Sequence, residues 1–260
     1  MKARGGAAPS AAATLPFAGA IDESRPWLAP YALRGRRAAQ AVDAGSSVAQ
    51  ALQLELACGA PISLRSGPLA FVSSQDLPLT EPYEAFIARS AQVPTRNNLH
   101  DFFNGIVWLH QPALKRRLNE LQAAEIARLG IGPRRGALRD ALTLFDENGV
   151  LLDAPAPLAQ ALIVRDWQAL FISHRALWAE ARLTLVGHAL LEQLSLAPRK
   201  GLTAHVVIGD ALALAPEAWA TKPFLPLPVL GVPGWWPANE APGYYDDPSV
   251  FRKSRGTIGP

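Results

Sequence analysis

The sequence predicts an α+β fold: a helix-rich single domain with a small, mostly antiparallel sheet and an extended C-terminal arm rich in proline and aromatic residues. Three observations point there. Helical spacing of apolar residues prevails before Gly136, with its longest run between Pro94 and Leu129. After Gly136 the pattern turns to alternation, so residues 140 to 152, 182 to 186 and 202 to 208 supply the strands. From Lys222 onward prolines and aromatics replace both patterns. Residues 1 to 20 read as a tail, 21 to 220 as the domain and 221 to 260 as the arm.

The tail, MKARGGAAPSAAATLPFAGA, begins with basic residues, but Pro9 and Pro16 break its alanine-rich middle. A loose tail is expected rather than a signal peptide. Asp22 to Ala44 reads as a helix, with Ser24 as N-cap, Pro26 in the first turn and Gly45 beyond its end. Arg34, Arg36 and Arg37 in its second half suit the helix dipole and a solvated face. Ser47 to Ala57 reads as a second helix through Val48, Leu52 and Leu56. The single cysteine, Cys58, is expected inside, beside Leu54 and Leu56, and excludes both an intramolecular disulfide and a cysteine zinc cage. Pro61 to Pro82 is broken into loop by proline, glycine and serine, with a short strand at Leu69 to Val72. A short helix follows from Glu81 to Ser90.

The central stretch carries the chemistry. Wound at 100° per residue, Leu99, Phe103, Ile106 and His110 line one stripe, while His100 and Asn104 fall one turn apart on a neighbouring face. Asn98 and Asp101 have the spacing of a capping box. Pro112 ends this helix, and a second one places Leu114, Leu118, Leu121 and Leu129 on one stripe. Glu125 falls within that stripe, so it must reach water or an arginine, find another partner, or take up a proton.

GIGPRRG, from Gly130 to Gly136, is a compact break whose two arginines match no phosphate-loop pattern. ALRDALTLFDENGVLLD then reads as a β-hairpin, with Asp146-Glu147-Asn148-Gly149 as its turn. Pro157 to Ala181 reads as helix broken near Arg165-Asp166. Arg182 to Val186 is a short strand, and Gly187-His188 opens a helix to Leu194. His188 and Glu192 lie one turn apart there, just past a strand end, where ligands of α/β sheets tend to sit. Leu202 to Ile208 alternates; if it pairs with Arg182 to Val186, His205 approaches His188. In the arm, Trp235, Trp236, Tyr244 and Tyr245 are too many aromatics to stay solvated, so the arm is expected to wrap the domain.

A hydrophobic content of 49% and a charged content of 18% describe a globular chain. A net charge of +3 gives no indication of nucleic acid binding. No apolar run approaches about 18 residues, so no transmembrane helix is expected.

Several stretches taken jointly resemble one family. NNLHDFFNGIVWL, LNELQAAEI, RDALTLFDENG, GHALLEQ and PLPVLGVPGWWPANE, with YDD and VFR after it, are similar to the bacterial family catalogued as domain of unknown function 3025. The resemblance runs from about residue 22 to 252 and implies a bacterial, cytoplasmic protein; it carries no reaction, cofactor or catalytic residues. The residues themselves leave two readings. In the first, a hydrolase uses His100, Asn104, His188 and Glu192, with His100, His188 and His205 around a divalent metal and an anionic small molecule as ligand. In the second, a non-catalytic binding or scaffold protein, the same groups hold helix ends and buried networks. A shared cleft requires His100 and His188 to lie well within about 15 Å of each other, because metal–ligand bonds span only about 2 Å.

Overall fold

The computed structural model describes residues 16–132 and 136–252. Most of the N-terminal tail, and Arg134 and Arg135 of the glycine-flanked break, lie outside the described residues. No helix among the described residues is long and apolar enough to cross a membrane.

The first helix, α1, spans Ala32–Asp43, ten residues later than its sequence suggests. Ser24 is held locally instead: its amide and hydroxyl both bond the Asp22 carboxylate, at 3.0 and 2.6 Å. Pro26 and Pro30 then keep the chain in tight turns, since neither can donate to a helical ladder. The turn at Phe17–Ala20 docks on the end of α1, where the Phe17 and Ala18 amides each donate to Asp43 at 2.9 Å. The arginine cluster is spoken for: Arg36 pairs with Glu23, Arg37 with Glu55, and Arg34 donates to the Leu109 carbonyl. α2, Val48–Ala57, opens with a capping box between Ser47 and Gln50. Cys58, at the end of α2, is exposed rather than buried.

A two-residue hairpin, β1 (Ser63–Leu64) and β2 (Gly67–Pro68), leads to β3 (Ala70–Ser73). After α3 (Tyr83–Ser90) comes β4 (Gln92–Thr95), parallel to β3. The sequence hides β4, because Pro94 inside so short a run argues against a strand. α4 (Leu99–His110) and α5 (Pro112–Leu129) meet at Pro112 as expected. Glu125 resolves as a surface pair with Arg128, at 3.0 and 2.9 Å.

The next element corrects the hairpin. Residues 137–148 form a helix, α6 (Ala137–Asn148), and only Gly149–Asp153 is a strand, β5. Leu138, Ala141, Leu142 and Phe145 follow helical spacing and face the core, which outweighs the turn-like Asp-Glu-Asn-Gly run. α7 (Ala156–Val164) ends at Arg165, which adopts a left-handed conformation. β6 (Arg182–Leu185), α8 (His188–Leu196), β7 (Thr203–Ile208), α9 (Pro216–Ala220) and β8 (Leu225–Pro228) complete the fold.

The main sheet has the order β6-β5-β7-β8, antiparallel except for the parallel central pair β5 and β7. β5 therefore separates the two strands that were expected to bring His205 to His188. The arm also differs from an irregular wrap, since its opening segment, β8, is a sheet edge paired with β7. Beyond it the arm does pack down. Asn239 donates to the Leu230 and Val232 carbonyls at 3.0 and 2.8 Å, Tyr244 and Phe251 are buried, and Trp167 donates to the Arg252 carbonyl at 2.8 Å.

Candidate metal centre

Three helix ends converge where β5 begins and β6 ends. α4 starts where it does because Asn98 Oδ1 accepts from the Asp101 amide at 2.8 Å. Asp101 folds back on Arg96, accepting from its backbone amide at 2.7 Å and from its guanidinium at 2.8 and 3.1 Å. Asp101 thus fixes the turn from β4 into α4, and His100 sits in the first turn beside it.

Asp146 and Glu147 lie in the last turn of α6, and His188 is the first residue of α8. Their relative placement rests on two glycines. The Val186 and Gly187 amides both donate to the Gly149 carbonyl at 2.9 Å. A Cβ on Gly187 would stand 2.5 Å from the Asn148 Cα, and one on Gly149 would stand 2.3 Å from the Phe145 carbonyl oxygen. Only hydrogen fits at either position.

The result is a triangle of ligand atoms. His188 Nε2 lies 3.1 Å from His100 Nε2, and Glu147 Oε2 lies 3.5 Å from the first and 4.0 Å from the second. The far nitrogen of each ring faces a carboxylate: His100 Nδ1 is 3.1 Å from Glu192 Oε2, and His188 Nδ1 is 3.7 Å from Asp146 Oδ2. Behind Asp146 sits a buried lysine, Lys115, whose Nζ donates to Asp146 Oδ1 at 2.5 Å and to Asn104 Oδ1 at 2.8 Å. Asn104 Nδ2 in turn donates to the Tyr83 hydroxyl at 2.9 Å.

The contacts assign one tautomer. His100 with its Nδ1–H donating to Glu192 presents a lone pair at Nε2, whereas His188 Nδ1, 3.7 Å from Asp146 Oδ2, is buried with no hydrogen-bond partner among the described residues; with its proton there, His188 too would present a lone pair at Nε2. Two lone pairs facing each other at 3.1 Å repel unless a cation or a proton lies between them. The spacing suits a metal. Bond lengths near 2.0–2.1 Å in a tetrahedral site put neighbouring ligand atoms about 3.3 Å apart. Carboxylates behind the histidines complete the usual second layer of such sites.

Burial dominates the electrostatics. It pushes the His188 pKa down to about 4, with the Asp146 carboxylate opposing and Lys115 adding to the fall. It also raises Glu147 above the ordinary carboxylate range, although the His100 ring pulls the other way. Burial would raise Asp146 as well, but Lys115 and His188 override it and leave that carboxyl below its ordinary value.

The triangle forms one wall of a cleft of about 680 Å³, also lined by Tyr83, Asn104 and Arg139. A larger cavity of about 850 Å³ along α2 and β3 contains neither histidine. Of the residues singled out in the sequence, His100, His188 and Glu192 meet directly, and Asn104 joins through Lys115 and Asp146. His205 does not join them; its half-buried ring packs against Phe224, with centroids 5.3 Å apart. Glu147 takes the third corner. Sequence reasoning misses it together with Asp146, because both read as turn residues. It misses Lys115 too, although a lysine directly after Leu114 at the edge of the apolar stripe of α5 is a signal of the kind Glu125 gives.

No curated protein and no solved structure matches the chain. A family model described as protein of unknown function (DUF3025) matches residues 69–218 and 208–255, a span that contains every residue of the triangle and its supports. The chain belongs to that family.

Proposed function

We propose that His100, His188 and Glu147 hold a divalent metal ion, best suited to zinc, and that the protein is a metal-dependent hydrolase acting on a substrate in the adjoining cleft. One observation carries the reading: two imidazole Nε2 atoms face each other at 3.1 Å while both outer nitrogens are turned to carboxylates. Three protein ligands would leave one position open, where such an ion would acidify a bound water for attack on a scissile bond. Glu192 and Asp146 orient the two rings, and Lys115 keeps Asp146 ionised. Asn104 and Tyr83 provide polar groups on the cleft wall.

The second reading is a non-catalytic binding or scaffold protein in which a proton occupies the seat of the cation. The same 3.1 Å separation suits a hydrogen bond between the rings, so this reading has its own support. Metal analysis separates the two. Zinc titration of metal-free protein is expected to show one tight site, lost in His188→Ala with little change in melting temperature. Absence of metal uptake by wild type, with a much less stable His188→Ala, would establish the structural network instead.

A further inference from the structure

The same cleft contains a charge that the metal reading leaves unused. α6 carries Arg139, Thr143 and Glu147 at successive four-residue steps, so they follow one another along one helix face. All three line the cleft, and Thr143 bonds Gln122 between the two ends. Arg139 stands two turns, about 12 Å along the axis, from the Glu147 corner of the triangle.

Arg139 has no ion pair among the described residues, and its Nε is buried without a hydrogen-bond partner there. Two carboxylates feel its charge without pairing with it: Glu84, which accepts from Asn119 Nδ2 at 2.6 Å, and Glu125, which is held by both arms of Arg128. Arg96, the other arginine of the cleft among the described residues, is committed to Asp101. Arg139 also lies in the first turn of α6, where the helix dipole is positive and disfavours a cation. A half-buried guanidinium in this setting has no anion in direct contact among the described residues, and its planar fork fits a carboxylate or phosphate through paired hydrogen bonds.

We propose that Arg139 anchors a carboxylate or phosphate group of the molecule bound in the cleft, so that its reacting end reaches His100, Glu147 and His188. The substrate class is then a small anionic compound with its charge set apart from the bond that is attacked. This second half rests on the metal-dependent reading; the anchor itself does not.

The test uses the full chain freed of metal, with inorganic phosphate and glutarate titrated separately by calorimetry. Wild type is expected to bind at least one of the two anions, and Arg139→Gln to bind it about tenfold or more weakly. Zinc uptake and melting temperature of the variant should remain those of wild type. Arg139→Lys keeps the charge but loses the fork, and should fall between them. Phosphate binding alone identifies a phosphate substrate and glutarate binding alone a carboxylate. Equal affinity in wild type and Arg139→Gln, or in wild type and Arg139→Lys should Arg139→Gln fail to fold, would overturn the anchor, as would no binding of either anion by wild type. Arg139-dependent anion binding in a protein that takes up no zinc would leave the anchor standing and remove only the metal.

Discussion

Replacing Lys115 by methionine removes one buried charge while keeping most of the side-chain volume. The lysine is only 5% exposed, and its ammonium lies 2.5 Å from Asp146 Oδ1, 2.8 Å from Asn104 Oδ1 and 5.5 Å from the centre of the Trp108 ring. Methionine leaves little cavity, so the loss is mainly electrostatic. Asp146, whose side chain is largely covered, is left without its counter-ion, and breaking a buried pair from one side costs about 3–5 kcal/mol. Asp146→Asn is expected to cost a similar amount by stranding the ammonium. The double variant Lys115→Met/Asp146→Asn strands neither, so its loss should fall short of the sum of the single losses by at least about 2 kcal/mol. Urea unfolding of the metal-free proteins at neutral pH, followed by tryptophan fluorescence, reads all four corners of the cycle. Additivity within about 0.5 kcal/mol would show that the two charges do not depend on each other, and the support assigned to Lys115 would fall.

Other outcomes follow from the same geometry. Glu192→Gln weakens the acceptor behind His100 without touching the ligand triangle, and should reduce zinc affinity about 10–100-fold by competition titration with a chromophoric chelator; unchanged affinity would mean that Glu192 does not orient the ring. In metal-free protein the folded-state pKa of His188, about 4, lies below the ordinary value. The unfolded chain therefore binds the extra proton first, and stability is full above about pH 6.5 and declines as pH falls toward 4, by on the order of 3 kcal/mol. His188→Gln should flatten that region of the pH–stability curve, and an unchanged slope would count against a buried neutral imidazole. Truncation after Ala220 removes β8 and exposes what Leu227, Leu230, Tyr244 and Phe251 cover. At about 1.5–3 kcal/mol for each large apolar side chain, the loss rivals the whole stability of a domain, so the shortened chain should be insoluble or unfolded by circular dichroism; a native melt would refute it.

The sequence makes half of the site legible. His100 is visible because α4 is a strongly periodic helix with a recognisable cap at Asn98, so positions around it follow from the winding. His188 is visible because a strand, a glycine and a helix start follow one another within a few residues. Glu147 and Asp146 are lost to competing local signals. Asp, Glu, Asn and Gly in a row have the chemistry of a turn, yet the apolar spacing from Leu138 to Phe145 continues the helix to Asn148 before β5 begins. The exclusion of His205 depends on strand order. Nothing in the separate strands says that β5 lies between β6 and β7, and one intervening strand is enough to keep apart a pair of histidines that their own elements suggest should meet.

The contact between Gly149 and Gly187 sets main chain against main chain just below the ligand triangle. Position 147 and position 188 are thereby surveyed from one fixed mark, whichever side chains stand on them. Side chains can be exchanged there without re-siting the helices that bear them. The vulnerability lies elsewhere. A single methyl group added at Gly187 would meet the Asn148 main chain and push the start of α8 away from the end of α6, giving a protein that retains His100, Glu147 and His188 in its sequence yet has no place where they meet.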